Sequence, residues 1–253
     1  MSLIRALAIY LYVIAVVVVG VPYFNWLDKH TEKLGADVVK RKIHAYANRM
    51  AKGVMRLTGS RITVNGAEHL PGDETVLYVA NHQSYMDIPV LMTILDRPVG
   101  FIAKDDMGKI PFFKKWIVYM KCVLITRGDA RKALTAIIQA AKLLQQGHSL
   151  ILYPEGTRSK DGILQEFKAG SLKAAQKGKV PIVPIAIDGA RDIMPRGSFF
   201  IHKRDVTVTV FPTISAEQVQ QMDTKDLAAM IKGQIAEALG QDVQEEEGAV
   251  QNA

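Results

Sequence analysis

Two short polar clusters in this chain hold residue types capable of chemistry, and each follows a strongly apolar run. The first is Asn81-His82-Gln83-Ser84-Tyr85-Met86-Asp87, after Val76–Ala80. A carboxylate bonded to one imidazole nitrogen fixes the tautomer and stabilises the imidazolium, so the other nitrogen can take a proton from a nucleophile. On one continuous helix, residues five apart are separated by about 500°, and His82 and Asp87 would not meet. They can meet only with His82 in the preceding loop and Asp87 in the first helical turn. Ser84 and Asp87 also have the spacing of a helix capping box. The same residues can therefore be read as a helix start with a loop histidine, or as a general-base pair. No Gly-x-Ser-x-Gly elbow is present. A general base at His82 would then act on a hydroxyl of the substrate.

The second cluster, Pro154-Glu155-Gly156-Thr157-Arg158-Ser159, follows Leu150–Tyr153. Gly156 permits close backbone approach, Arg158 offers a planar fork for a phosphate, and Thr157 and Ser159 add hydroxyls. Glu155 can position the guanidinium or accept from a substrate hydroxyl. Read alone, the string is also compatible with an ordinary turn. No Gly-x-x-x-x-Gly-Lys-Ser/Thr loop is present, which argues against nucleoside triphosphate chemistry. Lys104 and Arg127 follow two further apolar runs, and three cations at neighbouring strand ends would make an anion pocket beside His82.

The elements that must hold these clusters alternate. Strands are expected at residues 62–64, 76–80, 99–103, 122–126, 150–153, 181–187 and 206–211. Helices are expected at 85–95, 111–120, 130–146, 170–177 and, as one or two, 216–239. Buried strands alternating with helices predict an α/β fold, a mixed sheet covered by helices. Residues 241–253 have little apolar content and are expected to be disordered. The single cysteine, Cys122, cannot form an internal disulfide, and metal-ligand cysteine spacing is absent.

The N-terminal end has a different character. Residues 6–23 carry no charge, and as a helix they would reach about 27 Å, the lower limit for crossing a bilayer core. Tyr10, Tyr12, Tyr23 and Trp26 supply rings suited to a membrane interface. A cleaved signal peptide or a buried core helix would also be apolar, but a membrane anchor is the favoured reading. From Lys33 to Leu57 apolar residues recur at steps of three and four opposite Lys40, Arg41, Lys42, Arg49, Lys52 and Arg56, an amphipathic helix stopped by Gly59. It would lie on an anionic membrane surface or pack on the domain with a solvated basic face. The positive-inside rule places everything after it in the cytoplasm. The expected organisation is membrane-anchoring helices at 1–58, an α/β domain at 59–240 and an acidic tail at 241–253. The net charge of +7 hides an asymmetry, since the residues after Thr213 carry −6 and the rest +13. A body this basic suits a polyanionic partner, which charge alone does not identify: nucleic acid, anionic lipid, a phosphorylated substrate or an acidic carrier protein.

The residues from Asn81 to Asp87 resemble the H-x-x-x-x-D block of the glycerolipid acyltransferases. Residues 154–159 resemble that family's E-G-T-R-S block, Val123–Arg127 its arginine-terminated second block, Phe167-Lys168-Ala169-Gly170 its F-K-x-G element, and Val180–Ile185 its V-P-I-V-P block. The blocks occur in family order over about residues 75–190, and the member type most resembled is the bacterial enzyme acting on 1-acylglycerol 3-phosphate. Cys122 and Lys114 stand where the family often has glycine. The resemblance implies that His82, oriented by Asp87, deprotonates the sn-2 hydroxyl of lysophosphatidic acid. That hydroxyl then attacks an acyl thioester of coenzyme A or acyl carrier protein, giving phosphatidic acid. It assigns Glu155, Gly156, Thr157 and Arg158, with Lys104 and Arg127, to the glycerol-phosphate end. It implies no metal or prosthetic group, no nucleic-acid partner, and residence at the bacterial inner membrane among its lipids. Glycerol 3-phosphate or another lysophospholipid as acceptor, a hydrolase using His82-activated water, and a non-catalytic anionic-lipid-binding protein are the alternatives.

Overall fold

The computed structural model describes residues 2–109, 113–126 and 128–242. The acidic stretch from 243 to 253, the greater part of the expected disordered tail, lies outside the described residues. Helices α1 (Ser2–Lys29), α2 (Thr31–Leu34) and α3 (Ala36–Thr58) come first, followed by strands β1 (Ile62–Asn65) and β2 (Leu77–Ala80). Next are α4 (Asp87–Ile94), β3 (Val99–Lys104), α5 (Phe113–Tyr119), β4 (Val123–Ile125), α6 (Ala130–Gln145) and β5 (Ser149–Leu152). Then come α7 (Lys173–Gly178), β6 (Ile182–Asp188), α8 (Ala190–Ile193), β7 (Val206–Val210), α9 (Ala216–Gln221) and α10 (Thr224–Ala238). The alternation seen in the sequence is therefore real, and the chain is an α/β protein.

The seven strands form one mixed sheet in the order β1-β7-β6-β2-β5-β3-β4. The run from β6 to β4 is parallel, and β7 joins β6 antiparallel. Both faces are covered, which is why the central strands read as unbroken apolar runs rather than alternating ones. Val76, Tyr78 and Ala80 enter one core with α1, α3 and α4, whereas Leu77 and Val79 enter the other with α6, α7 and α10.

Topology fixes where a ligand can enter. From β2 the chain passes through α4, in the first core, to β3, beyond β5. From β5 it passes through α7, in the second core, to β6, on the other side of β2. Adjacent strands β2 and β5 thus send their connections in opposite directions over opposite faces. That switch opens a crevice at their C-terminal ends.

The N-terminal helices correct one expectation. The apolar face of α3 does not lie free for a membrane, because Val39, Ile43, Ala47 and Val54 are buried in the core shared with α1 and α4. The buried polar residues of α3 complete α4. Asn48 donates to the carbonyls of Met92 and Leu95, and His44 Nε2 lies 3.3 Å from that of Leu95, so α3 gives two carbonyls at the C-terminal end of α4 a partner. The free apolar face belongs to α1: Leu3, Ile4, Leu7, Leu11, Ile14, Val18 and Val19 are exposed at helical spacing. Its opposite face is pinned by Phe24, whose ring lies 4.8 Å from Trp116, 5.4 Å from Tyr46 and 5.5 Å from Tyr119. Gly20 admits this cluster, since a Cβ there would stand 2.7 Å from the Trp116 ring.

Phe24 is fully buried, and Phe24→Ala is expected to cost about 3–5 kcal/mol and to lower the unfolding midpoint by about 10 °C. Thermal unfolding in detergent checks this, and a shift of under about 3 °C would show that α1 is not held by that cluster.

Candidate active site

The site is built on the last residues of β2. Asn81 is buried, and its side chain acts as an extra strand residue. Nδ2 donates to the Ile187 carbonyl at 2.9 Å and Oδ1 accepts from the Ile187 amide at 2.7 Å. This locks β2 to β6 where the chain turns out of the sheet. His82 lies in the loop that follows, and Asp87 is the first residue of α4. Nδ1 of His82 and Oδ2 of Asp87 are 2.7 Å apart, with Asp87 fully buried. Oδ2 also accepts from the amides of Gln83, at 2.8 Å, and Ser84, at 2.9 Å. Asp87 therefore supplies the backward-reaching half of the expected capping box and holds the imidazole with the same oxygen. Ser84 is not the cap residue. Its hydroxyl donates to Met194 O at 2.8 Å and accepts from the Met86 amide at 3.2 Å, because a turn separates it from the helix start.

The second cluster wraps the histidine. Tyr153 stacks on the imidazole, with ring centroids 4.1 Å apart and planes at 14°. Glu155 Oε1 accepts from the His82 amide at 2.5 Å, and the Ser159 amide donates to the His82 carbonyl at 2.8 Å. Glu155 Oε2 accepts from Gln165 N at 3.0 Å. Glu155 is 4 % exposed, does not line the cavity described below, and supports the backbone of His82; it is not placed to contact a ligand. Burial pushes its carboxyl up to about 7, against the pull of the two amides.

His82 opens on a cavity of about 380 Å³. Its lining is of two kinds. Arg158, Lys104, Lys168 and Arg196 provide cations, while Ile88, Phe101, Ile102, Met107, Ile125 and Leu152 provide an apolar wall. Gly156 (φ +69°) and Thr157 lie on the same rim. The Arg158 guanidinium sits 3.7 Å above the Tyr85 ring, and its backbone carbonyl accepts from Arg196 Nη1 at 2.7 Å. Lys104 is paired with Asp106. Arg127 lies outside the described residues. A cleft at the opposite strand ends, between Lys40, His44, Lys121 and His148, holds only about 20 Å³, roughly room for a water. Among the described residues no group of His, Cys, Asp and Glu could hold a metal ion.

Sequence reasoning did not assign the apolar wall, and among the aromatic and cationic lining residues it missed Tyr85, Tyr153, Lys168 and Arg196. Tyr153 read as the end of a strand, and Tyr85 as the first residue of a helix. Lys168 lay in a recognised element without a role. Arg196 is remote in sequence and carries no local signal.

A His–Asp pair at the switch point of a largely parallel sheet, beside a cationic cavity, is an arrangement suited to general-base chemistry. The chain belongs to the Acyltransferase family, whose model matches residues 61–188. It is 33% identical over 188 residues to the chloroplastic 1-acyl-sn-glycerol-3-phosphate acyltransferase LPAT1 of Arabidopsis thaliana, covering 74% of this chain and 50% of that protein. A 1-acyl-sn-glycerol-3-phosphate acyltransferase of Borreliella burgdorferi is 28% identical over 183 residues, covering 72% of this chain and 73% of the relative. The chain thus spans about half the length of LPAT1 and of the chloroplastic 1-acyl-sn-glycerol-3-phosphate acyltransferase BAT2 of Brassica napus. The crystal structure of the 1-acyl-sn-glycerophosphate acyltransferase PlsC from Thermotoga maritima superimposes with a TM-score of 0.77 at 26% identity, covering 97% of this chain and all of that one.

Glu155 binds its proton more tightly in the folded chain than in the unfolded one. Its contribution to stability is complete below about pH 4.5 and is lost as pH rises through about 7. Denaturation free energies measured across this range are expected to fall with pH, and less steeply in Glu155→Gln. An identical slope in the variant would assign the pH dependence to other groups.

Proposed function

We propose that the chain transfers a fatty acyl group from an acyl thioester to the sn-2 hydroxyl of 1-acyl-sn-glycerol 3-phosphate, giving phosphatidic acid. The carrying observation is the His82–Asp87 pair opening on a cavity with both a cationic and an apolar lining. Such a lining suits an amphiphile that has a phosphate at one end and an acyl chain at the other. The names of the relatives point the same way.

With Nδ1 held by Asp87, Nε2 is the ring nitrogen left for the substrate. It takes the proton of the sn-2 hydroxyl as that oxygen attacks the thioester carbonyl, and Asp87 stabilises the imidazolium. The tetrahedral intermediate then expels the thiolate, which receives the proton from Nε2. An ester bond has formed, a thioester bond has broken, and His82 is returned neutral. Ser84 does not compete as nucleophile, since it is fully buried with its hydroxyl engaged. Arg158, Lys168 and Arg196 hold the acceptor phosphate, with Lys104 at the rim and Gly156 and Thr157 offering close backbone and hydroxyl contact. Glu155 acts through His82 rather than on the acceptor. Acyl-coenzyme A or acyl carrier protein serves as donor substrate, with no metal and no prosthetic group.

The apolar helix α1 is long and hydrophobic enough to cross a membrane by length and composition. Its packing favours a different placement. Contacts to α3, α5 and the loop before β7 occupy one side from Tyr10 to Leu27, so only the other side is free for lipid. We place residues 1–58 as a membrane-binding unit lying in one leaflet of the bacterial inner membrane. Residues 59–240 form the catalytic domain on the cytoplasmic face.

The test gives purified full-length protein an acyl thioester with lysophosphatidic acid or glycerol 3-phosphate and identifies the products by mass. Acylation of glycerol 3-phosphate alone would overturn the acceptor, and thiol release without an acylated lipid would assign a hydrolase. His82→Ala is expected to lower kcat by at least about 10²-fold while leaving vesicle binding intact. Arg158→Ala is expected to raise the acceptor KM by about tenfold or more, and unchanged acceptor kinetics would remove it from the phosphate site.

A further inference from the structure

Between α8 and β7 the chain forms a loop whose tip is apolar and held away from the core. Phe199 is 78 % exposed and Phe200 48 %, while the next residue, Ile201, is fully buried. Slack does not explain the exposure, because the loop is pinned throughout. The Met194 carbonyl accepts from Ser84 in the turn between His82 and Asp87. Ser198 N donates to Pro195 O at 3.0 Å, closing a tight turn in which Gly197 takes φ +83°. Phe200 N donates to Ser198 Oγ at 3.0 Å, and His202 N returns to Ile193 O at 2.8 Å. Two aromatic rings are therefore presented to the outside on a braced tip.

The tip is continuous with the apolar face of α1. The Tyr10 hydroxyl donates to the Phe199 carbonyl at 3.1 Å, and Leu7 and Ile14, about one helical turn on either side of Tyr10, are exposed, as is the adjacent Leu11. Arg191, Arg196, Lys203 and Arg204 flank the tip in sequence, against Asp192 and Asp205. Paired aromatic rings flanked by a cationic excess match a bilayer interface with anionic headgroups. The tip is also near the cavity in the chain: Arg196 lines the His82 cavity, and the Cα of Phe199, three residues on, lies within about 11 Å of the Cα of Arg196.

We propose that the Phe199–Phe200 tip inserts into the same leaflet as α1 and forms a second membrane contact at the mouth of the cavity. A helix lying in a leaflet can roll about its axis within the width of its apolar stripe. A second contact beside the mouth removes that freedom and holds the cavity against the lipid that supplies the acceptor. The inference rests on the membrane placement of α1 given above.

The test attaches an environment-sensitive fluorophore to Phe199→Cys, Leu7→Cys or Lys225→Cys in the full chain carrying Cys122→Ala. Vesicles of phosphatidylethanolamine and phosphatidylglycerol with brominated acyl chains act as quencher. Quenching is expected at 199 and 7, and not at 225 on α10, which packs on the other face of the sheet. Quenching at 7 alone overturns the tip and leaves membrane attachment standing, whereas quenching at neither removes both. Quenching at 199 alone sinks the placement of α1 and with it the proposed second contact, and equal quenching at all three sites is non-specific adsorption and overturns it. A concentration-dependent blue shift at 199 without vesicles would assign the tip to a second copy of the chain and overturn the inference. The Phe199→Ser, Phe200→Ser double variant is expected to lose about tenfold in turnover of an acceptor embedded in vesicles. It should keep its activity on a short-chain, water-soluble acceptor. An equal loss on both would mean that the tip shapes the cavity and would overturn the proposal.

Discussion

Three hydrogen-bond donors converge on a single buried carboxylate oxygen, Oδ2 of Asp87, and the rest of the site depends on that convergence. Burying a carboxylate without partners is costly, and charge-assisted bonds are what offset the cost. Here two of the donors are the amides of Gln83 and Ser84, and the third is the imidazole of His82. The turn, the helix start and the ring are consequently one unit, and moving any of them exposes the same buried oxygen. The far end of α4 is held by His44 and Asn48 of α3. The position of Asp87 therefore also depends on the helix that carries α1, so the apolar N-terminal layer and the site are mechanically connected.

Sheet topology explains why the two polar clusters meet. Residues 81–87 and 154–159 are about seventy positions apart in sequence, but β2 and β5 are neighbours that point the same way. Because their connections leave over opposite faces, a crevice opens at their ends. The second cluster fills part of that space by bonding the His82 backbone on both sides, at its amide and its carbonyl. Tyr153, the first residue beyond β5, then meets the ring face. Orientation of the imidazole is set from the Asp87 side by a hydrogen bond and from the Tyr153 side by stacking.

The parts of this arrangement that were legible in the sequence are those governed by local rules. Runs such as Val76–Ala80 and Ile182–Ile187 announce strands buried on both faces. The five-residue spacing of His82 and Asp87 requires a loop-to-helix junction if they are to touch, and they lie across one. What remained hidden depends on which neighbour a side chain meets. A glutamate at a strand end can face a ligand or an adjacent backbone with equal chemical sense, and only the packing of β5 beside β2 shows Glu155 turned toward the His82 amide. The apolar stripe of α3 is equally suited to a membrane and to a protein layer, and α1 and α4 take it. Arg196 enters the cavity from a loop 38 residues beyond Arg158, and no periodicity marks it.

On the proposed reaction, the base faces a selectivity problem that its own geometry does not solve. An imidazole poised to deprotonate a hydroxyl can also deprotonate water, and water attack on the thioester would waste the donor. Acyl transfer prevails when the acceptor hydroxyl is held at an effective concentration well above that of water and when bulk solvent is kept from the ring. The stacked Tyr153 and the apolar wall of Ile88, Phe101 and Leu152 oppose solvent entry. The cations at the other side fix the phosphate, and with it the carbon chain that bears the hydroxyl. In this scheme the phosphate site contributes to the chemical step as well as to affinity, because anchoring the charged end places the hydroxyl oxygen at Nε2. An acceptor lacking the phosphate would lose turnover in addition to binding, and the thioester would be left to water.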